Sequence, residues 1–596
     1  MRLSFRHLLT GVLLAIWCMA ISGLALPLAP QALLKLHLLS SVGGAALLVV
    51  FLGRHWWSRR DKIAAHRNTP QGYIALAALA LLTISGLALL AWTNVAPLRW
   101  LHDATMIVLL LDLTTHMSWR WWKDRSGLLT RSARAKPRMA LRTTRKWLLG
   151  GVIVAGVVVT LVDISQATAT HAQEVLVPVA PASLADHVLF AAPDCANCHS
   201  AITQQWRSSA HAHAATDTYY QAVTTLFIEE RGAQAVQYCA TCHNPIGLMQ
   251  GEVDPNAVKR PVSTSGAAYQ ARKLGIALPI SDRAAEGVTC AMCHQAAQIA
   301  TAPINGSLQL ATNMAVLPTN TLDQLSLRAV PASHKETLLR PVIQQAELCG
   351  SCHNLRLPDN GAALEPTYDE WKASPYPERG MTCQSCHLPQ VPGPKADSSP
   401  VQTIGAHGNI PGAVSSLPGL ADDPSLLKKA AALSANLIAD PNDPAKLVAT
   451  IVITNTGAGH HLPTGANDLR QMWLELTLRD SSGQVAWSSG TLDKYGTLDP
   501  SAVQFHKVLG DANGHPIDLH RIWIATQVLT DTSLLPLEAR TILYQIALPS
   551  NTTSYTLTVR LLYRDVSQAF AEFAQDGAVP DLPTREMART EVLLNR

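Results

Sequence analysis

Five long apolar segments occupy the first 166 residues, at about residues 8–28, 34–53, 72–92, 100–119 and 147–165. Each approaches the roughly 20 residues that a helix needs to cross the hydrocarbon core of a bilayer. The chain is 48% hydrophobic and only 15% charged, which agrees with a membrane part. The pattern predicts an α-helical transmembrane bundle of about five spans, and hence an integral membrane protein.

The positions of Lys and Arg predict the orientation of this bundle. The connection at residues 54–67 carries five basic residues, and the connection at residues 120–146 carries ten against one acidic residue, Asp124. Basic connections stay on the cytoplasmic side of a membrane. We therefore expect a bacterial inner (cytoplasmic) membrane protein with a cytoplasmic N-terminus and with residues after 166 in the periplasm or outside the cell.

An internal repeat covers the first four segments. Ile21–Leu26 recurs as Ile84–Leu89, and His37 recurs as His102. Self-similarity at a fixed spacing indicates a duplicated structural unit. Segments one and two are thus predicted to form a hairpin that is duplicated as segments three and four.

The pattern changes after residue 170. Few periodic segments follow up to residue 440, which predicts little secondary structure with some α-helix. From about residue 441, apolar and polar residues alternate as in half-buried strands, which predicts an antiparallel β-sandwich. The predicted strands are Lys446–Asn455, Gln471–Asp480, Arg540–Leu548 and Tyr555–Leu562. The predicted domains are a four-helix bundle (1–125), a basic cytoplasmic loop with a fifth span (126–170), a motif-bearing domain (171–440) and a β-rich domain (441–596).

Ten of the 11 cysteines form five copies of the pattern C-x-x-C-H. The copies pair Cys195 with Cys198, Cys239 with Cys242, Cys290 with Cys293, Cys349 with Cys352 and Cys383 with Cys386, and the histidines that follow are His199, His243, His294, His353 and His387. This pattern attaches c-type haem through two thioethers, and its histidine is the proximal iron ligand. Zinc sites, redox-active cysteine pairs and disulfides do not require a histidine directly after the second cysteine, and all five copies have one. We therefore predict five covalent haem c groups.

The sixth iron ligand decides between electron transfer and catalysis. Histidine ligands on both faces of the haem leave the iron no free coordination position. Methionine as the sixth ligand would raise the reduction potential, and a missing sixth ligand would let a substrate bind the iron. The candidate distal ligands are His211, His334, His407, His461 and His520. A loop at Gly457–Gly465 carries His460 and His461 at one tip, so we expect the β-rich domain to dock on the haems and donate one of these two.

The predicted bundle contains further candidate iron ligands. They are His37, His102, His116 and His55. Ionisable residues inside membranes are costly and are usually functional. His102 and His116 would share one helix face, about 21 Å apart along its axis. Phe51 stands where the repeat would place a counterpart of His116. One or two b-type haems are expected, and the alternative is ordinary hydrogen bonding by these histidines.

Two resemblances add to these expectations. The segment from Cys195 through Trp206 to His211 resembles the cytochrome c554 family over about residues 190–410, which implies a multihaem cytochrome with His211 as an axial ligand. The hairpin arrangement and the spacing of His102 and His116 resemble the cytochrome b subunits of the formate dehydrogenase and thiosulfate reductase type. The second resemblance implies quinol oxidation or quinone reduction coupled to b-type haem.

The leading hypothesis is electron transfer between the membrane quinone pool and a periplasmic or extracellular redox protein. Residues 167–596 hold 28 Lys and Arg against 38 Asp and Glu, which would attract basic partners. One alternative is a terminal oxidoreductase that acts on a small nitrogen or sulfur compound at a five-coordinate haem. Another is a membrane-anchored relay without a quinone site. No nucleic-acid partner is expected, and whether the chain is a quinol-oxidising enzyme stays open.

Overall fold

The structure is a computed structural model that describes residues 37, 41, 50, 81, 84, 85, 101, 102, 105, 108, 175–184, 189–232, 236–251, 284–299, 305–312, 334, 335, 338–357, 362–397, 399–408, 423–443, 445–547, 554–575, 577, 578 and 580–595. The chain divides into two compact units. The first comprises Met1–Gln173 with Met314–Leu338, and the second comprises Glu174–Asn313 with Leu339–Arg596. All five C-x-x-C-H motifs and the C-terminal strands therefore belong to the second unit.

The structure contradicts the predicted transmembrane bundle. Among the residues that it describes, no helix is long and apolar enough to cross a membrane. The five predicted spans lie almost wholly outside those residues. Hydropathy detects apolar runs, whereas a span also needs one continuous helix that satisfies its own backbone hydrogen bonds. Three further predictions depended on these spans and are wrong. They are an integral membrane protein, an inner-membrane location and the membrane quinone pool as partner.

The described helices of the second unit are short. They are α1 (Ala192–Ala196), α2 (Ser200–Arg207), α3 (Ala210–His213), α4 (Thr218–Arg231), α5 (Val236–His243), α6 (Pro245–Met249), α7 (Cys290–His294), α8 (Ala346–Gly350), α9 (Thr367–Lys372), α10 (Cys383–His387), α11 (Leu427–Ala430) and α12 (Gln568–Ala574). Every motif begins within or at one of these helices. Short helices suit this region because each needs only to present one turn of functional side chains.

Polar side chains fix where the helices around the second motif begin. The Asp217 carboxylate accepts hydrogen bonds from the backbone N–H groups of Tyr219 (2.7 Å) and Tyr220 (3.2 Å) and caps α4. The Asn244 side chain accepts from the N–H of Gly247 (3.1 Å) and caps α6. Such caps satisfy N–H groups that a helix cannot pair internally. The capped helices α4 and α6 precede and follow α5 in the chain, and α5 ends in the second motif.

Three small antiparallel sheets support the motif-bearing part of the chain. Their strands are β1 (Val175–Pro178), β2 (Ala296–Ile299), β3 (Leu308–Thr312), β4 (Leu355–Arg356), β5 (Ala363–Glu365), β6 (Gln390–Pro394) and β7 (Val401–Gly405). They pair in the orders β1-β3-β2, β4-β5 and β6-β7. A buried apolar cluster joins the first sheet to α6 and α7 and includes Val177, Leu310, Ile246 and Met292.

The C-terminal part consists mainly of antiparallel strands. They are β8 (Ala431–Ala439), β9 (Lys446–Asn455), β10 (Gln471–Asp480), β11 (Val485–Ser489), β12 (Gln504–Phe505), β13 (Lys507–Gly510), β14 (Gln527–Asp531), β15 (Ala539–Ala547), β16 (Ser554–Arg564) and β17 (Arg585–Asn595). One sheet has the order β15-β9-β8, and another has the order β11-β10-β16-β17 with β12 on β10. Strands β13 and β14 form a separate pair.

One core lies between the two larger sheets. Alternate residues of β9, β10 and β16 are buried, among them Ile451, Leu474 and Leu557. The alternation has the two-residue period of a strand that buries a single face. The strands expected at 446–455 and 471–480 have those bounds, and the other two differ from the expected bounds by no more than two residues.

Candidate haem sites

Each C-x-x-C-H motif is built on a single turn of helix. The His199 N–H donates to the Cys195 carbonyl (2.9 Å), and the His353 N–H donates to the Cys349 carbonyl (2.8 Å). Residues three and four positions apart lie on the same face of such a turn. The two thiols and the histidine of each motif are therefore presented to the same side, as covalent attachment of one porphyrin requires.

The ten motif cysteines are half-buried thiols, and the structure joins none of these ten in a disulfide. A disulfide framework would have paired them within or between motifs. The C-x-x-C-H turns also keep the histidine beside the thiols, which a disulfide does not need. The arrangement fits thioether attachment.

Three motif histidines face a second histidine at nearly the same distance. The ring centroids are 6.1 Å apart for His294 and His407, 6.4 Å for His353 and His211, and 6.3 Å for His387 and His460. The planes of the first and third pairs are close to parallel, at 12° and 18°, and those of the second pair meet at 45°. The repeated spacing indicates that something of fixed thickness belongs between the rings.

A metal ion with one imidazole on each side requires this spacing. A metal–imidazole bond is about 2.0–2.1 Å long, and the ring centroid lies about 1.2 Å behind the bonding nitrogen, so two imidazoles on one metal have centroids about 6.4 Å apart. The three pairs are compatible with this spacing, and His211, His407 and His460 are the residues that would lie opposite the motif histidines.

Backbone carbonyls lie beside Nδ1 of several histidines. The Nδ1 atom of His407 lies 2.8 Å from the Gly405 carbonyl oxygen, and that of His460 lies 2.7 Å from the His461 carbonyl oxygen. Nδ1 of His199 lies 2.5 Å from the Lys395 carbonyl oxygen. A carbonyl accepts from a protonated nitrogen, so Nδ1 carries the proton in these hydrogen bonds. Such second partners fix the tautomer and orientation of metal-bound histidines.

Burial keeps the paired histidines neutral. It lowers the pKa of His211 to about 4, with further lowering from the nearby His353 and His387. Burial also lowers the pKa values of His353, His407 and His460. Only a neutral imidazole has a free lone pair for a metal. These side chains are therefore ready to bind iron at neutral pH.

The first motif leads directly into the segment that carries His211. The motif is followed by α2, and the Ser209 hydroxyl accepts from the Ala212 N–H (3.3 Å) to begin α3. The Trp206 indole N–H donates to the Val288 carbonyl (2.9 Å), and the Val288 N–H donates to the His211 carbonyl (2.9 Å). These bonds tie the His211 turn to the residues just before the third motif.

The loop after β9 brings His460 to the fifth motif. The Asn455 side chain donates to the His460 carbonyl (3.0 Å) and accepts from the Ala458 N–H (3.1 Å). A Cβ at Gly457 would clash with the backbone of Lys429, so only glycine permits this close approach. The β-rich part of the chain thus contributes a side chain opposite His387.

Neither His461 nor His520, which were both candidate distal ligands, belongs to these three histidine pairs. His461 lies beside His460, but its Nδ1 is 3.5 Å from the Glu370 carboxylate and 3.4 Å from the Ser533 hydroxyl. Of the two adjacent histidines, His460 faces the His387 ring. The sequence showed both histidines at one tip, but no sequence signal distinguished them.

His520 is held between two carboxylates. Its Nδ1 lies 2.8 and 3.0 Å from the two Asp468 oxygens, and its Nε2 lies 3.4 Å from a Glu365 oxygen. Burial alone would lower its pKa, but the charges and hydrogen bonds of Asp468 and Glu365 raise the pKa to about 10. The two carboxylates thus favour the protonated form of His520, and its role as a distal iron ligand stays a prediction.

The second motif has different surroundings. The His243 ring stacks on the Tyr220 ring, with centroids 4.5 Å apart and planes 5° from parallel. Burial lowers the pKa of His243, the charges of Asp217 and Glu365 oppose that change, and the nearby His520 adds to the lowering.

The first unit contains one further histidine pair. The rings of His37 and His102 have centroids 6.2 Å apart and planes at 72°. The buried Ser85 hydroxyl lies 3.0 Å from Nδ1 of His102. The spacing fits an iron between the rings as in the second unit. His116 and His55 lie outside the described residues, and His334 belongs to this first unit.

Comparisons with known proteins point to the same chemistry. The family described as cytochrome c554 and c-prime matches residues 194–262. A penta-haem cytochrome c552 from Thermochromatium tepidum is 22% identical with a TM-score of 0.47, over 68% of this chain and 99% of that chain. The structural-genomics target SoR45 is 11% identical with a TM-score of 0.13, over 27% of this chain and 84% of that one.

No curated protein sequence matches the chain significantly. The family match begins just before the first motif and includes the second motif. Both motifs form the helical turn that presents two thiols and a histidine to one side. The five C-x-x-C-H motifs and the family match over residues 194–262 support a multihaem c-type cytochrome.

Proposed function

We propose that this chain is an electron-transfer protein in which five covalent haems form a relay. The observation that carries the proposal is the set of three histidine pairs with centroids 6.1–6.4 Å apart. An iron with a histidine on each face has no open position for a substrate. Such sites exchange electrons without making or breaking ligand bonds.

The side chains of this protein have separate tasks at each site. The haem, when bound, supplies one-electron chemistry at its iron. The cysteines attach the porphyrin, and the histidines fix the iron from both faces. The backbone carbonyls on Nδ1 orient those histidines, and their burial excludes water. All-histidine ligation favours lower potentials than ligation by methionine.

We further propose a b-type haem between His37 and His102. Neither histidine is next to a C-x-x-C motif, so this haem would be held without thioethers. The ring spacing of 6.2 Å and the Ser85 hydrogen bond to His102 support the proposal. His116 and His55 were the other candidates from the sequence, and they stay predictions.

The charge distribution favours a basic redox partner. Residues 167–596 carry a formal charge of −10 from 28 Lys and Arg against 38 Asp and Glu. Haem propionates would add negative charge to this part. A basic protein would be attracted to it over about a Debye length, which is roughly 10 Å at 0.1 M salt.

A second candidate function is catalysis at the haem of the second motif. The observation that favours it is the Tyr220 ring stacked on His243, with Glu365 and His520 close enough to influence the pKa of His243. A five-coordinate iron beside a protonated imidazolium could bind a small oxyanion or nitrogen compound. Electrons would reach it through the other haems.

Substitution of the distal histidine of the fifth motif tests the ligand assignment. His460→Met should raise the midpoint potential of one haem by on the order of 100 mV, because axial ligands set potentials over a span of about 0.8 V. A spectropotentiometric titration of the purified protein measures this change. His461→Met is the matched control and should leave all potentials unchanged. A shift in the control alone would show that His461 is the ligand.

Electron exchange with soluble partners tests the relay. The reduced protein should transfer electrons faster to a basic redox protein than to an acidic one of similar potential, and the rate with the basic partner should fall about tenfold or more between 10 and 500 mM salt, as steered association does. Stopped-flow absorbance at the haem bands measures both rates. Rates that are equal for the two partners and independent of salt would contradict the proposed partner charge.

Haem extraction tests the site at His37 and His102. Acid acetone should remove a b-type haem from the protein and leave the covalent haems, and pyridine haemochrome spectra should identify both. His102→Ala should abolish the extractable haem and leave the c-type content unchanged. Ser85→Ala should retain that haem with an altered potential. The absence of extractable haem from the unmodified protein would refute this site.

Spectroscopy of the ferric protein decides on the second candidate function. An open iron at the second motif should give a high-spin electron paramagnetic resonance signal from one haem, and the reduced protein should bind one carbon monoxide. Tyr220→Phe, which keeps the ring stacked on His243, is the control and should retain both properties. Only low-spin signals and no carbon monoxide binding would exclude catalysis at this haem.

A further inference from the structure

A β-hairpin connects the fifth motif to His407, and its tip contacts the first motif. Strands β6 and β7 pair along their whole length. His387 of the fifth motif lies just before β6, and His407 lies just after β7. Two prolines in β6, Pro392 and Pro394, fix the backbone φ angle at their positions and stiffen the strand. The tip, at residues 395–400, is thus presented by a short and rigid support.

The tip forms hydrogen bonds with the backbone and the histidine of the first motif. The Lys395 carbonyl oxygen lies 2.5 Å from Nδ1 of His199. The Asp397 N–H donates to the Cys198 carbonyl (2.8 Å). On the side of the tip, both contacts are made by backbone atoms. They therefore depend on where the tip lies and not on the side chains of Lys395 and Asp397 themselves.

The Asp397 side chain anchors this tip. Its Oδ1 atom accepts hydrogen bonds from the Ser200 N–H (2.9 Å) and from the Ser200 hydroxyl (2.7 Å). Ser200 is the first residue of α2, and His199 before it gives this helix no side-chain cap. The first N–H groups of a helix have no internal partners, and the helix dipole favours a carboxylate there. Asp397 thus binds the start of the helix that directly follows His199.

The far end of the hairpin is attached to the same helix. The His407 N–H donates to the Gln205 side chain in α2 (2.9 Å), and Nδ1 of His407 lies 2.8 Å from the Gly405 carbonyl oxygen. Helix α2 therefore holds the hairpin at two separate places. Loss of the anchor at the tip should leave the His407 end attached, so its effect should be local to the first motif.

Resting on the proposed function, we propose that Asp397 is a positioning residue that sets the potential of the haem of the first motif. It does so by holding the Lys395 carbonyl on His199. A carbonyl that accepts from the second nitrogen of a metal-bound histidine fixes the orientation of the ring and makes the ligand more basic. A more basic ligand stabilises ferric iron, so this hydrogen bond lowers the potential of that haem.

Two substitutions of Asp397 test the proposal. Asp397→Ala removes both bonds to Ser200 and should raise the potential of one haem, by up to about a tenfold change in the equilibrium constant for reduction, or roughly 59 mV. It should also change the low-spin electron paramagnetic resonance signal of that haem, because the imidazole loses its fixed orientation. Asp397→Asn keeps an oxygen for Ser200 and should retain that signal. Spectropotentiometric titration and electron paramagnetic resonance measure both properties.

Two further variants separate position from charge. Ser200→Ala removes one of the two bonds without changing the net charge, and it should shift the same haem in the same direction by a smaller amount. Asp480→Ala is the matched control. Asp480 accepts from the N–H and the hydroxyl of Ser482 (2.9 and 2.6 Å) in the turn after β10, so its loss removes the same charge and the same kind of bonds outside the motif-bearing part. This control should leave all potentials unchanged.

Equal shifts in Asp397→Ala and Asp397→Asn, with none in Ser200→Ala, would show an effect of charge alone and overturn the proposal. Unchanged potentials in all three variants would overturn it as well. If Asp397→Ala binds less haem by pyridine haemochrome, Ser200→Ala decides in its place. Mass spectrometry of the peptide with Cys195 and Cys198 tests the proposed function separately, because a peptide without the mass of haem would show that this function fails at the first motif.

Discussion

The facing of two histidine rings at a nearly constant spacing links distant parts of the second unit. This spacing joins His211 to the fourth motif, His407 to the third and His460 to the fifth, and each pair links segments that are distant in sequence. The apolar cluster around the motifs is small, whereas the sandwich has a continuous core between two sheets. Under the proposed function, haems held by these pairs would supply much of what organises the helical part, in the way that metal sites hold together small domains.

Two buried histidines of the second unit have opposite electrostatic surroundings. Burial lowers the pKa of His211, and the nearby His353 and His387 lower it further. His520 is buried as well, but Asp468 and Glu365 raise its pKa. Burial of a histidine therefore does not determine its protonation by itself, because the charged groups around the ring also contribute.

The sequence predicted the local features and failed on those that depend on distant contacts. The C-x-x-C-H turns and the strand at residues 446–455 follow from short-range spacing and alternation. The choice of His460 over His461 depends on the close approach of Gly457 to Lys429, which no local pattern records. The predicted spans were wrong because an apolar run does not establish a continuous helix. Carboxylate partners at His520 were likewise invisible, since Asp468 and Glu365 come from other parts of the chain.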